Sequence, residues 1–113
     1  MQSVTRVFLY DDDHNRFFGE GPCRLLHAIE ETGSLRAASA SMHMAYTKAL
    51  SMIKRAEKAL NFPLTEKNIG GRGGGGSRLT PQAKEFLQNY EKYRNACYET
   101  NIRIYSEIFS GRP

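Results

Sequence analysis

The stretch from Gly70 to Ser77 comes closest, in residue type and spacing, to a motif that performs chemistry. Gly71, Gly73 and Gly76 satisfy GxGxxG, and the whole stretch nearly satisfies the phosphate-binding pattern GxxxxGK[ST]. In that pattern a lysine precedes the serine and binds phosphate, but this sequence has Gly76 there. Both motifs also need a strand before them and a helix directly after. We therefore interpret the stretch as a loop rather than a nucleotide site.

Cysteines and histidines offer the other candidate chemistry. Cys23 and His27 lie one helical turn apart and could share a metal, but no third ligand follows at a recognisable spacing. His14 and His43 have no sequence context that links them to an activated serine or cysteine. Cys97 lies far from Cys23, so two free thiols are expected rather than a disulfide. The sequence predicts no enzyme, no metal and no cofactor.

The bulk composition is that of a globular protein. The chain has 113 residues, 40% hydrophobic and 25% charged, which predicts a single domain over residues 1–113. No apolar run approaches the roughly 20 residues that span a bilayer, and the N-terminus has no signal-peptide pattern. We expect a cytoplasmic protein without a membrane partner.

Positive charge is concentrated in the middle of the sequence. The chain carries a net +4, and residues 34–80 hold eight Lys and Arg against two Glu. The 33 residues before them are net acidic, and the residues after them are close to neutral. A basic segment of this kind favours a nucleic-acid partner.

The elements that position this charge begin with a hairpin and a helix. Residues 4–10 are rich in β-branched and aromatic side chains, residues 11–15 are turn-forming, and residues 16–19 can return as a partner strand. Gly21 and Pro22 then start a helix, in which apolar residues recur at helical spacing until Gly33.

The next two elements predict a helix-turn-helix. Ser34 can cap a short helix over residues 35–42, and a longer helix follows over residues 45–60. One face of the longer helix is apolar and predicts a core contact: Ala49, Ile53, Ala56 and Leu60. The opposite face is polar and basic: Thr47, Ser51, Lys54 and Lys58. This is the pattern of a helix-turn-helix whose second helix faces a partner.

A wing and a long helix complete the predicted fold. Residues 64–67 and 77–79 can pair across the glycine-rich loop, and we call residues 68–78 the wing. Thr80 and Pro81 start a last helix that runs to about Phe109, roughly 40 Å by helix rise. The predicted fold is mainly α with small β: a winged helix-turn-helix with an N-terminal β-hairpin, a β-wing and a long C-terminal helix.

An apolar seam along residues 81–109 predicts a dimerisation helix. Its members are spaced by three and four residues: Phe86, Tyr90, Tyr93, Cys97, Asn101, Ile104 and Ile108. Such a seam extends beyond what the small domain can bury, so we expect a two-fold homodimer.

Several segments resemble, in order and spacing, the N-terminal domain of ModE-type regulators, and the region is also similar to the LysR-type DNA-binding head. They are Gly33-Ser34-Leu35, Ala37-Ala38, Met44-Ala45-Tyr46, Lys48-Ala49, Phe62-Pro63-Leu64, Gly70-Gly71, Gly73-Gly74-Gly75-Gly76 and Leu79-Thr80-Pro81. The resemblance implies a winged helix whose second helix enters the DNA major groove, with a dimer holding two such units.

This sequence departs from the resembling family at three places. His43 stands where the family usually has Gly in the turn, Ala45 stands where it usually has a Ser cap, and Lys67 replaces an Arg. ModE-type repressors that sense molybdate carry further C-terminal oxyanion-binding domains, whereas this sequence ends at Pro113. The six glycines in residues 70–77 predict that the wing is too mobile to be a preorganised anion site. We therefore expect no oxyanion binding in this chain.

These patterns together predict a sequence-specific, DNA-binding transcriptional regulator that acts as a dimer on double-stranded DNA. The candidates for base edges and flanking phosphates lie in the recognition helix, residues 45–60: Tyr46, Thr47, Lys48, Ser51 and Lys54. In the wing, Arg72 and Arg78 are candidates for the DNA backbone or a minor groove. The alternative is a protein-interaction module on a winged-helix scaffold that no longer binds DNA.

Overall fold

The computed structural model describes residues 1–68 and 76–110, and it contains two hairpins and four helices in that part of the chain. The elements in chain order are β1 (Leu9–Tyr10), β2 (Arg16–Phe18), α1 (Glu20–Thr32), α2 (Leu35–Ser41), α3 (Tyr46–Leu60), β3 (Thr65–Lys67), β4 (Ser77–Leu79) and α4 (Pro81–Phe109). The predicted winged-helix architecture is therefore confirmed.

The N-terminal hairpin pairs β1 with β2 in antiparallel register. The carboxylate of Asp11 accepts the backbone N–H groups of Asp13 and Asn15, which closes the turn that the acidic residues predicted. The first strand is much shorter than the predicted 4–10, because β2 has only three residues before α1 begins. The residues before Leu9 thus have no partner strand to bond with.

Local capping explains where the first helix ends and the second begins. Gly33 ends α1 in the left-handed conformation at φ 83°, and its N–H donates to the carbonyl of Ile29. Ser34 then caps α2, because its hydroxyl accepts the N–H of Ala37 at 3.0 Å. Gly33 and Ser34 are adjacent, so the chain passes from the end of α1 directly into α2.

The wing is anchored at its base. β3 pairs antiparallel with β4, and the N–H of Ser77 donates to the carbonyl of Gly33 at 2.7 Å. The hydroxyl of Thr80 donates to the carbonyl of Pro63 and accepts the N–H of Ala83, so it joins the wing to the start of α4. Arg72 and most of the glycine-rich loop lie outside the described residues.

The core lies between α1, the hairpins and the first turns of α4. Its largest fully buried side chains are Phe18, Cys23, Leu25, Leu26, Ile29, Leu64 and Leu79. The predicted core face of α3 is confirmed at Ala49, Ile53 and Ala56, whereas Leu60 is only partly buried at the edge. Because two of these three residues are alanine, α3 can approach the core closely while its other face stays outside.

The long helix α4 contributes to the core only near its start. Ala83, Leu87 and Tyr90 are buried, and the molecule extends 59 Å along its longest axis because the rest of α4 projects. Of the predicted dimer seam, Tyr90 belongs to the protomer's own core, which corrects its assignment, and Phe86 is partly buried against that core. The ring of Phe18 meets Phe86 and Tyr90 edge-on, each at 4.8 Å between centroids, and Tyr90 is only 3% exposed.

Beyond Tyr90, α4 presents apolar side chains that no other described element covers. Tyr93, Ile104 and Ile108 are exposed, and Cys97 and Asn101 are half-buried. Every helix in the part of the chain that the structure describes is too short or too polar to cross a membrane.

Candidate nucleic-acid interface

The exposed side of α3 carries a continuous polar and basic surface. Its six exposed side chains, which we call the basic face, are Thr47, Lys48, Ser51, Lys54, Arg55 and Lys58. Five of them, with Leu50 between them, line a shallow depression along the helix, and Lys48 lies beside it. The helical repeat that buries Ala49, Ile53 and Ala56 thus turns these polar side chains outward.

The four cations of the basic face have no acidic partners among the described residues. The only acid in α3 is Glu57, and its carboxylate accepts the backbone N–H of Leu64 at 2.8 Å. This bond attaches the end of α3 to the base of the wing. It also holds the one carboxylate of α3 at the base of the wing, so the basic face keeps its positive potential.

The start of α3 is exposed and has no side-chain cap. Ala45 is the N-cap residue and makes no capping bond, so the first backbone N–H groups of the helix keep their capacity to donate. His43, in the turn before it, has φ 54°, a left-handed conformation that favours glycine. His43 and Ala45, two of the three departures from the family pattern, therefore lie at a left-handed turn position and at a helix N-cap.

Tyr46 is held in place by the preceding helix. The guanidinium carbon of Arg36 in α2 lies 4.4 Å from the centroid of the Tyr46 ring. A cation over an aromatic face at this distance is attractive. The contact joins the two helices of the helix-turn-helix and adds the charge of Arg36, which is also exposed, to the same side of the molecule.

A cleft between the N-terminal hairpin and α3 extends the basic face. It has a volume of about 290 Å³, and Arg16, Lys48 and Arg55 are among its lining residues. The guanidinium carbon of Arg16 also lies 4.4 Å from the ring centroid of Phe8, which fixes its position beside the cleft. The hairpin therefore contributes one more cation at the edge of this surface.

The two strands at the base of the wing, β3 and β4, carry charges of both signs. Arg78 and Glu66 lie opposite each other on the two strands, with Nε of the arginine 3.0 Å from the carboxylate. Lys67 is exposed on the neighbouring strand position. Arg78 is thus already paired within the protomer, unlike the cations of α3.

Sequence reasoning found part of this surface and missed the rest. The candidates Thr47, Lys48, Ser51 and Lys54 lie together on one exposed helix face, and Tyr46 lies at its start. Arg55 joins the face one residue after Lys54, and Lys58 belongs to the polar side of the helical repeat although it was not a candidate for DNA contact. Arg36 and Arg16 come from separate elements, so no local spacing could have predicted their proximity.

A helix-turn-helix with an unpaired basic second helix and an adjoining β-wing defines the winged-helix class of DNA-binding domain. The family model described as bacterial regulatory helix-turn-helix protein, lysR family, matches residues 23–84. The chain belongs to this family.

Two proteins of known identity have sequences similar to part of this chain. The chain is 42% identical over 72 residues to the molybdenum transport protein ModE of Herbaspirillum seropedicae, covering 64% of this chain and 25% of that protein. It is 37% identical over 68 residues to the transcriptional regulator ModE of Haemophilus influenzae, covering 60% and 27%. The matched part thus spans about a quarter of the length of these relatives.

A similar fold occurs in a solved structure. The crystal structure of the CbnR_DBD-DNA complex matches 78% of this chain and 95% of that one, with a TM-score of 0.59 and 18% identity. At this identity the match supports the fold.

Proposed function

We propose that this protein is a transcriptional regulator, not an enzyme, that binds double-stranded DNA by inserting α3 into the major groove. The observation that carries the proposal is the basic face, whose four cations have no acidic partners among the described residues. An α-helix fits the major groove of B-DNA, and phosphates supply the missing counter-charges. The family membership and the DNA complex of the structural neighbour support the same function.

Within the basic face, position on the helix distinguishes two roles. Thr47, Ser51 and Lys54 follow the centre of the exposed face, so they are the residues that reach base edges. Lys48 and Arg55 lie on the side that borders the hairpin cleft, where a phosphate of the flanking backbone would meet Arg16 as well. Tyr46 and the free N–H groups at the start of α3 are suited to a phosphate contact.

The wing makes the second contact in this proposal. Arg78 reaches the DNA backbone while it keeps its bond to Glu66, so it contributes less to affinity than an unpaired cation does. Arg72, outside the described residues, stays a sequence-based candidate for the backbone or a minor groove.

A two-fold homodimer through α4 would present two recognition helices to half-sites about 34 Å apart, one turn of DNA. The exposed apolar side chains of α4 that support the proposal are Tyr93, Ile104 and Ile108, with the half-buried Cys97 and Asn101 between them. A groove along this line is bordered on its other side by Thr5 of the N-terminal segment.

Binding to a random-sequence duplex across a salt series tests the function. A DNA-binding protein should bind at low salt and lose affinity steeply as salt rises, because counterions are released from the phosphates. Selection of bound sequences from random DNA should then enrich a two-fold symmetric site. A protein-interaction module that has lost DNA binding would show little binding even at low salt, and that result would reject the proposal.

The similarity to molybdenum-related proteins raises the question of an oxyanion. We propose that this chain binds molybdate no better than sulfate, since a selective site needs several converging donors in a rigid, dry pocket. Calorimetric titration should give the same heat for molybdate, tungstate and sulfate, and none of them should change the affinity for DNA. Saturable micromolar binding of molybdate that sulfate does not displace would contradict this.

A further inference from the structure

A cluster of potential metal ligands lies between α1 and α4. Cys23 and His27 project from α1 one turn apart, and Glu91 reaches them from α4. One ligand atom from each residue lies within 4.8 Å of the other two. We propose that Cys23, His27 and Glu91 bind a divalent transition-metal ion of the zinc type, which joins α1 to α4.

The distances are close to those of a coordinated ion. In a tetrahedral zinc site with metal–ligand bonds of about 2.0–2.3 Å, neighbouring ligand atoms are roughly 3.3–3.8 Å apart. Nε2 of His27 already lies 3.1 Å from Oε1 of Glu91, where the two share a hydrogen bond. A metal ion takes the place of the shared proton, and Cys23 closes onto it with a side-chain movement of about an ångström.

Charged groups lie near the polar atoms of His27 and Glu91 that would not bind the metal. Nδ1 of His27 lies 3.9 Å from the carboxylate of Glu30, and Oε2 of Glu91 lies 3.7 Å from the guanidinium of Arg94. A metal-binding histidine usually donates its other ring N–H to a carboxylate or carbonyl, and a ligating carboxylate is usually hydrogen-bonded in turn. Glu30 and Arg94 are therefore close enough to stabilise the ligands electrostatically, and a small side-chain rotation would let each form the orienting hydrogen bond.

The charges around the cluster match a divalent ion. Arg94 is bonded to Glu20 at 3.1 Å and lies 3.7 Å from the sulfur of Cys23. Glu20, Glu30, Glu91 and a Cys23 thiolate together carry four negative charges, of which Arg24 and Arg94 neutralise two. The two negative charges that remain balance the charge of one divalent cation. The thiol proton is released to solvent when the ion binds.

The ligand types and the exposure indicate which ion enters and how. One sulfur, one imidazole nitrogen and one carboxylate oxygen suit zinc better than magnesium or calcium, which prefer oxygen alone. Cys23 is buried, but the side chains of His27 and Glu91 are 45% and 31% exposed, so the ion has an entry path and a water molecule can complete four-fold coordination.

Cobalt titration of the full chain tests the site. The protein is stripped of metal with a chelator, freed of the chelator and kept reduced, and Co²⁺ is added while the absorption spectrum is recorded. We expect a thiolate-to-cobalt band in the near ultraviolet that saturates at one ion per chain and disappears when Zn²⁺ displaces the cobalt. Zn²⁺ should also raise the melting temperature of the wild type.

Variants assign the ligands. Cys23→Ser should abolish the thiolate band, and His27→Gln and Glu91→Gln should each weaken metal binding by about tenfold or more. The matched controls are Cys97→Ser and Glu99→Gln, which change the other cysteine and another glutamate of α4 and should bind like the wild type.

The proposal is overturned if the wild type gives no cobalt band at millimolar metal, if the band survives in Cys23→Ser, or if only Cys97→Ser removes it. Circular dichroism checks that each variant is folded. Should the buried Cys23→Ser variant fail to fold, the partly exposed His27→Gln and Glu91→Gln decide the outcome, and unchanged affinity in both rejects the site. None of these results depends on whether the protein binds DNA.

Discussion

The phenol of Tyr90 donates a hydrogen bond to the carbonyl oxygen of Val7 at 2.8 Å, and this bond attaches the N-terminal segment to α4. It satisfies a carbonyl that the short hairpin leaves without a strand partner. The ring of Tyr90 packs against Phe18 in the core, so one side chain joins the hairpin, the N-terminal segment and α4.

Tyr90 should make the stability of the protein fall at alkaline pH. Burial, with the nearby Cys23 and Glu20, raises the pKa of Tyr90 from 10.0 to about 12. The unfolded chain therefore ionises this phenol first, so the stabilisation is complete below pH 10 and is lost as the pH rises toward 12. Denaturant unfolding between pH 8 and 12 should show a loss of roughly 2 kcal/mol from this group.

Tyr90→Phe should reduce that alkaline loss, and it should cost about 1 kcal/mol at neutral pH because the bond to Val7 disappears. Tyr10→Phe, which removes an exposed hydroxyl from the hairpin, serves as the control and should keep the wild-type decline. If Tyr90→Phe and Tyr10→Phe lose stability equally between pH 10 and 12, the buried phenol is not the cause.

Ala45→Ser should stabilise the start of α3. Ala45 has extended N-cap geometry but no side-chain capping bond, and a serine there could accept the N–H of Lys48. A new cap adds about 1 kcal/mol, which corresponds to a rise in melting temperature of roughly 4 °C for a domain of this size.

Ala45→Val is the matched control, because valine, like alanine, supplies no acceptor that could cap the helix. A melting temperature of Ala45→Ser no higher than that of the wild type would show that the helix start is already satisfied in another way.

Ile104→Asp should convert the proposed dimer into a monomer. Ile104 is exposed on the α4 face that also carries Tyr93 and Ile108, and a carboxylate there would be buried without a partner in the interface. Sedimentation at micromolar concentration should give a dimeric mass for the wild type and a monomeric mass for this variant. Ile102→Asp is the control, because it places the same change on the opposite face of the helix and should remain dimeric. A monomeric mass for the wild type would contradict the proposed dimer.

Local sequence signals predicted most of the fold because local interactions position most of it. Gly33, Ser34 and Thr80 form caps within a few residues of themselves, so the boundaries of α1, α2 and α4 could be predicted. The β-branched and aromatic residues predicted a strand over residues 4–10, but the strand begins only at Leu9. A strand also needs a partner, and β2 is too short to pair with the residues before Leu9.

Contacts between distant segments were not predictable. The helical repeat assigned Tyr90 to an outer seam, since periodicity reports which residues share a face but not what that face meets. Glu91 lies 64 residues from His27 in the sequence, so no ligand spacing could have placed it beside the Cys23 and His27 pair. The same holds for the stacking of Arg36 on Tyr46, which depends on the angle between two helices.

The salt dependence of DNA binding by a doubly substituted protein tests the central claim most directly. Lys48→Ala/Arg55→Ala removes the two cations of the basic face that are proposed to contact phosphates, and Lys84→Ala/Lys92→Ala removes two exposed cations from α4. If α3 binds the DNA backbone, the first variant should lower the slope of log affinity against log salt by about two. The expected change is roughly 0.9 for each phosphate that the protein no longer neutralises. The second variant should match the wild type. Equal slopes for both variants and the wild type would show that DNA does not bind at α3.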